Sequence, residues 1–376
     1  MSLAGPMSNW EAPRENSVEA LLHGIQFADG VEFDLRVDAD GEFVIYHDEF
    51  VPGPEPILDR CIERMTTEEL RSSGIGTFEE LLANRSFTDS WQSGGKTVDI
   101  EIKIPHPMTK IDTDSHLSST LESLEAQLSE LDLPKRSTIV SSFSPRIGPM
   151  ARGSGFGLPV SRLAPHIRAW GRYWRVKRTV AMPNFARTSV RGITKGLRDE
   201  GMESIGIALE YLVGWTKWIN PGFPVGLQGK GLERFHAARQ GMGAFVWPAP
   251  LRYEDALINA GVSLVSDHMD PTVIEKPGGT PRWPRPASQP LDSEWRERIG
   301  GAPSSEWGDL MDEAASSLPM WPEVSKTRRT GIIEEHARRM LWPGASEKWV
   351  RLSEEGIPWG SPRLLGHRGA GKTHGS

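Results

Sequence analysis

SPRLLGHRGAGKTHGS, residues 361–376, ends the chain with an apolar pair and a Gly-rich tail. Whether Leu364 and Leu365 end a strand decides the architecture. Upstream, seven segments read as strands: VEFDLRV (31–37), TVDIEIKI (97–104), STIVSSF (137–143), GLPVSRL (157–163), IGIALEYL (205–212), GAFVW (243–247) and VSLVSDH (262–268). VEFDLRV and TVDIEIKI alternate apolar and polar residues with the strand period of two. Helical spacing falls between most of these segments, as in 17–29 with Ser17 as N-cap, 116–131, 231–240 and 253–260. Repeated strand–helix units predict a parallel sheet, open or closed. With an eighth strand at Leu364–Leu365, the fold is an α/β (β/α)8 TIM barrel. EFVIYHD (42–48), after the turn at Asp38–Gly41, is an extra strand.

The 376 residues carry 38% hydrophobic and 25% charged side chains and a net charge of −7. No Lys/Arg block resembles a nucleic-acid footprint, so the expected partner is a small molecule and not nucleic acid. Cys61 is the one cysteine, which excludes a disulfide framework and a cysteine-based zinc site. No apolar run approaches the roughly 18 residues of a membrane helix. Met1 to Arg14 contains no apolar leader, and the expectation is a cytoplasmic protein. Of the 14 tryptophans, seven lie between Trp283 and Trp359. GGTPRWPRPASQP (278–290) reads as a linker, followed by helical patches near 291–299, 305–317 and 328–341.

Glu32 and Asp34 sit two apart on one strand and share a face; Glu101 and Lys103 repeat that spacing on another. If both faces line one barrel mouth, three carboxylates converge, which suits a hard divalent cation, Mg²⁺ or Ca²⁺. The alternative is that they are outward polar faces of half-exposed strands. His47 and Asp48 follow FVIY at a strand end, where barrels place catalytic groups, although a lone histidine there is commonly structural. His367-Arg368-Gly369 offers a proton carrier and a phosphate-binding guanidinium in a loop that glycine lets approach a ligand. GHRGAGKT formally fits G-x-x-x-x-G-K-T, but three residues after Thr373 cannot form the helix a P-loop opens.

Taken together, E15-N-S17, G30-VEFD34, D40-G41, H47-D48 and E101-I-K103 resemble, in order and spacing, the glycerophosphodiester phosphodiesterase family. SSF (141–143), Trp247 and S266-D267 resemble its later strand ends. The resemblance covers roughly 11–271 plus 361–376. Family sequences open with the His-Arg-Gly strand, whereas here it comes last, so the resemblance implies a circularly permuted barrel. A truncated second copy is the competing explanation. The expected organisation is a barrel domain, 11–271 with 361–376, and a Trp/Pro-rich helical connector or cap, 272–360. That cap is read as packing on the barrel exterior, with a substrate lid as the other reading.

The resemblance implies a metal-dependent phosphodiester hydrolase that cleaves glycerophosphodiesters to glycerol phosphate and an alcohol. Glu32, Asp34 and Glu101 would hold the cation. His367 and His47 would be the acid–base pair, Arg368 and Lys103 would hold phosphate oxygens, and Glu15 would support the site. Trp247 would stack on the alcohol or fill the barrel top. The nucleophile is the substrate's glycerol hydroxyl or a water. A lysophospholipase D-like enzyme acting on acylated substrates and a phosphate-binding barrel without turnover are the competing classes. Phe143 is expected to pack, Asp267 to shape the last loop, and Lys372 to be mobile. His268 and His374 have no counterpart in the family's motifs and are expected to play no part in the site.

Overall fold

A computed structural model describes residues 10–167, 174–339 and 344–373. The strands are β1 (Gly30–Val37), β2 (Phe43–Ile45), β3 (Thr97–Ile102), β4 (Thr138–Ser142), β5 (Val160–Leu163), β6 (Ser204–Ala208), β7 (Gly243–Trp247), β8 (Ser263–Ser266), β9 (Glu275–Lys276), β10 (Thr280–Pro281) and β11 (Leu364–His367). Eight of them close a parallel barrel in the order β11-β8-β7-β6-β5-β4-β3-β1, with β1 pairing back to β11. The final strand thus lies between β8, through Leu364 opposite Leu264, and β1, through His367 opposite Glu32. β2 pairs antiparallel with the upper part of β1, outside the barrel circuit.

The period-two pattern explains both layers. Val31, Phe33 and Leu35 on β1 and Val98, Ile100 and Ile102 on β3 point outward into one large apolar cluster. The helix Val18–Phe27, capped by Ser17 accepting from the Ala20 amide, adds Leu21 and Ile25 to that layer. The inward residues grade from apolar at the barrel's N-terminal end to charged at its C-terminal end. At the N-terminal end Ile139, Phe245, Val265 and Leu365 pack around Trp359, which floors the barrel. Gly243 leaves room for the backbone of Trp359, since a Cβ there would lie 2.5 Å from the Trp359 carbonyl oxygen.

The tryptophans of 283–359 do mostly structural work. Trp321 and Trp349 pack with Ile333 and Ile357, while Trp307 packs with Ile299, Met311, Trp283 and Trp295. Trp342 lies outside the described residues. The stretch 278–290, read as a linker from its Pro/Gly content, is fastened to the barrel. Arg282 is buried against Glu254 at 2.8 Å, and the Ala287 and Ser288 amides donate to Asp29 at 3.1 and 2.6 Å. The Leu364 amide donates to the same carboxylate at 2.9 Å. Buried backbone donors need acceptors, and Asp29 supplies them for both the returning chain and the last strand. No described helix is long and apolar enough to cross a membrane.

Candidate active site

The inward row of β1 reads Glu32, Asp34, Arg36, and its neighbour β3 presents Asp99, Glu101 and then Lys103. Register places Asp34 opposite Glu101 and Glu32 opposite Asp99. Glu32, Asp34 and Glu101 are all buried, and one oxygen from each lies within 4.8 Å of the others. The sequence-derived faces therefore point into the barrel and not to solvent. Lys103 reaches across the group, with Nζ 2.7 Å from Asp34 Oδ1 and 2.5 Å from Glu101 Oε1.

The last strand delivers its residues into the same cavity. Arg368 has φ of +51° and Gly369 +88°, a left-handed turn that reverses the chain just above the sheet. A Cβ on Gly369 would fall 2.4 Å from the Ala20 carbonyl carbon, so no other residue fits there. The turn aims the Arg368 amide at Glu32 Oε2, 3.0 Å away, and its guanidinium at Glu15 (2.5 Å) and Asp34 (3.3 Å). Glu15 also accepts from the Thr373 amide at 2.7 Å, while its own amide donates to Thr373 Oγ1 at 3.0 Å. The first and last described turns of the chain are therefore tied together at the site.

His367 donates from Nδ1 to Asp267 Oδ1 at 2.6 Å, leaving Nε2 toward Glu32 at 3.8 Å. His47 donates from Nδ1 to Asp48 at 2.7 Å. Each ring is thereby fixed with its Nε2 as the second nitrogen. Both histidines, with Glu32, Asp34, Glu101, Arg368 and Trp247, line a cavity of about 400 Å³. No described residue of 272–360 lines it.

The charges do not balance among themselves. Burial, then Asp34, Glu101 and Asp99, push the Glu32 carboxyl well above its ordinary range. Burial raises Glu101 as well, against the pull of Lys103. Burial also opposes ionisation of Asp34, yet Lys103, His47 and Arg368 outweigh it and hold the carboxyl well below its usual range. Burial lifts Asp99 to about 7, although Ser141 donates to it at 2.7 Å. Desolvation lowers both His47 and His367; Lys103 adds to it at His47, and Asp267 opposes it at His367. A donor set of hard oxygens whose negative charge is this crowded fits a divalent cation.

Several participants lie beyond the sequence reading. Arg36 continues the Glu32–Asp34 row, so extending the same period by two finds it. It donates to the His47 carbonyl at 3.2 and 3.3 Å and pairs with buried Glu63 at 2.8 Å, which fixes the loop carrying His47. Asn16, with φ of +56°, donates to Asp34 Oδ2 at 2.9 Å. Asp267 holds His367 as well as shaping its loop, because its Oδ1 also accepts the Lys372 amide at 3.2 Å. Lys372, expected to be a mobile tail residue, lines the cavity, and burial followed by Arg368 lowers it to about 8. Phe143 stands edge-on to Trp247 at 5.7 Å in the cavity wall. His374 lies outside the described residues.

The sequence profile of the glycerophosphoryl diester phosphodiesterase family matches residues 5–201, more than half of the 376-residue chain. Among solved structures, the chain is similar to a glycerophosphodiester phosphodiesterase from Thermotoga maritima, 18% identical, over 69% of this chain and 90% of that one, with a TM-score of 0.43. A glycerophosphodiester phosphodiesterase from Parabacteroides distasonis is 18% identical over 69% and 87% of the two chains, TM-score 0.45. An Oleispira antarctica phosphodiesterase, solved with the product sn-glycerol-3-phosphate, is 14% identical over 68% and 88%, TM-score 0.45. No curated protein sequence matches. By the family match, this chain belongs to the glycerophosphoryl diester phosphodiesterases and is a phosphoric diester hydrolase.

Proposed function

We propose that the cavity hydrolyses glycerophosphodiesters to glycerol phosphate and an alcohol, with Glu32, Asp34 and Glu101 holding one Mg²⁺ or Ca²⁺. The observation that carries this reading is the convergence of three buried carboxylates beside two carboxylate-held histidines. When bound, the cation offsets charge on the phosphate oxygens. Arg368 and Lys103 bind further oxygens, and Glu15 with Thr373 holds the guanidinium in place. One histidine takes the proton of the attacking hydroxyl, from water or from the substrate's glycerol. The other gives a proton to the leaving alcohol as its P–O bond breaks. Both imidazoles are biased to the neutral form, so the acid gains its proton as the phosphate anion arrives beside it.

The chain order follows from the same reading as a circular permutation. The family's opening strand is β11, and the hydrogen bonds between Glu15 and Thr373 sit where the parent chain would be continuous. His367 lining one cavity with His47 supports this over a truncated second copy. The corresponding division is a barrel, 11–271 with 361–376, and a helical cap, 272–360. The test is hydrolysis of glycerophosphocholine by the full chain after chelation and after refilling with Mg²⁺ or Ca²⁺. Activity lost on chelation and restored by one ion is the expected result. Equal activity in excess chelator refutes the metal assignment.

A further inference from the structure

Ten large apolar side chains stand exposed among the described residues, and all lie in segments that follow β2 to β6. These segments build the rim on which the cavity opens. The five most exposed are Val176 (60%), Val180 (74%), Trp215 (63%), Trp218 (69%) and Phe223 (81%). They come from two neighbouring stretches, the helix Trp174–Arg187 and the loop after β6. Arg178 lies over the Trp215 ring at 5.6 Å, which joins the two stretches. Exposed tryptophans in one patch are not accounted for by folding, since scattered single apolar residues are the normal surface.

The charge of this patch opposes that of the chain. Residues 174–198 and 211–232 contain nine Lys/Arg and no Asp/Glu, whereas the whole chain carries −7. Cations stand beside the aromatic rings, with Lys217 at 5.8 Å from the Trp218 centroid and Arg234 at 4.9 Å from that of Phe223. A second cavity, of about 890 Å³, is lined by Phe223 with Arg191, Lys195 and Arg198 in its walls, and its one acidic residue, Asp199, is paired with Lys195 at 2.8 Å. Aromatic tips with basic residues around them are the composition of a surface that sinks its rings to headgroup level and draws anionic lipid to its edges.

The patch also adjoins the catalytic cavity. In the helix Trp174–Arg187, Lys177 and Ala181 line the cavity, one turn apart. Val176 and Val180, at the same spacing, face solvent. One helix thus presents one side to substrate and the next to the outside.

We infer that this rim docks the enzyme on an anionic lipid bilayer, with Trp215, Trp218 and Phe223 entering the interface beside the cavity mouth. The partner is a membrane surface carrying phosphate headgroups. Drawing substrate from that surface rests on the hydrolase reading above; docking itself does not. The basic run is spread over two segments with apolar residues interleaved, which is why no Lys/Arg block announces it in the sequence.

The test is co-sedimentation of the full chain with vesicles of phosphatidylglycerol and of phosphatidylcholine, alongside hydrolysis of soluble glycerophosphocholine. Strong binding to phosphatidylglycerol that weakens with salt is expected. Trp215→Ser combined with Trp218→Ser and Phe223→Ser should lower that binding on the order of a hundredfold. Lys217→Gln should lower it about fivefold. Hydrolysis of the soluble diester should stay at the parent level in both variants, because none of these residues lines the cavity. Should the triple variant fold poorly, brominated lipid in the vesicles must still quench the parent's fluorescence, and Trp218→Phe must reduce that quenching. Docking is overturned if the parent protein does not sediment with phosphatidylglycerol, or if the folded triple variant sediments equally well. Equal retention of parent and triple variant on heparin and on vesicles also overturns it, by marking a general polyanion surface. A chain that docks but hydrolyses nothing would refute the hydrolase reading alone.

Discussion

The two ends of the barrel handle buried charge in opposite ways. At the N-terminal end, Asp29 accepts three backbone amides, from Ala287, Ser288 and Leu364. Nearby, Arg363, fully buried, donates to the carbonyls of Ile357, Pro358 and Ser361 and to Thr97 Oγ1, and stacks on Trp359 at 4.9 Å. At the C-terminal end, Glu32, Asp34, Asp99 and Glu101 crowd one another, and their affinities for protons are driven apart. Charges satisfied by fixed backbone groups hold a structure together. Charges satisfied only in part are available to a ligand, at some cost to the free protein's stability.

The largest effects that separate the two ends are on rate and on folding. His367→Ala and His47→Ala should each lower hydrolysis of a glycerophosphodiester by about a hundredfold to ten-thousandfold, with the thermal midpoint held close to the parent's. Full activity in His367→Ala, read as initial rate at saturating substrate, would remove the last strand from the chemistry. Asp29→Ala should act in the reverse sense. It orphans three buried amides and is expected to cost about 3–5 kcal/mol in urea unfolding, while each folded molecule keeps its rate. An Asp29→Ala chain that unfolds like the parent would mean the returning segment is held elsewhere.

A smaller effect sharpens the contrast within the crowded end. Glu32→Gln keeps the shape and removes one of the four carboxylates. In chelator, the variant should be more stable than the parent by about 1 kcal/mol, because like-charge repulsion falls. With excess Mg²⁺ or Ca²⁺ the order should reverse. The parent gains about 2.7 kcal/mol at a hundredfold excess over its dissociation constant, and the variant gains little. Differential scanning calorimetry with and without the ion reads both signs. A variant destabilised under both conditions would mean that Glu32 serves as a charged acceptor for the Arg368 amide and not as a ligand.

The same contrast governs what the sequence could disclose. Glu32, Asp34 and Glu101 are legible because period-two alternation puts them on one face whatever the strand packs against. Arg36 follows from the same rule carried one step further. The closing strand is legible by counting, since seven parallel strands leave a barrel open. Asp267 could not be paired with His367 by any local pattern, as the two lie 100 residues apart. The fastening of 278–290 was hidden for a similar reason. Pro and Gly mark a linker, but they do not tell that the Ala287 and Ser288 amides donate to a carboxylate 258 and 259 residues away. Trp359 reads as connector, yet it floors the barrel because the end of the returning chain must pass beneath β7 and β8 before it enters as β11. Local periodicity reports which face a residue takes; it does not report which distant group meets it there.

A last predicted effect concerns a cation at the satisfied end. Lys96 is buried and donates to the Ala28 carbonyl at 2.6 Å, and burial, with Arg285 nearby, lowers its amine to about 7 from the ordinary 10.5. Between those two values the unfolded chain binds one more proton than the folded one, so stability rises as pH rises from about 7 toward 10.5 and is lost as pH falls back. Below about 7 the amine is charged in both states and the slope from this group vanishes. Lys96→Met removes the group, and the difference in unfolding free energy between parent and variant should therefore change with pH only inside that window, by at most about 1.4 kcal/mol per pH unit. Urea titrations at several pH values measure that difference directly. A difference that is flat across the window would show that Lys96 stays charged in the folded barrel, paired with Asp29. The N-terminal end would then hold its charges as an ion pair and not through backbone groups alone.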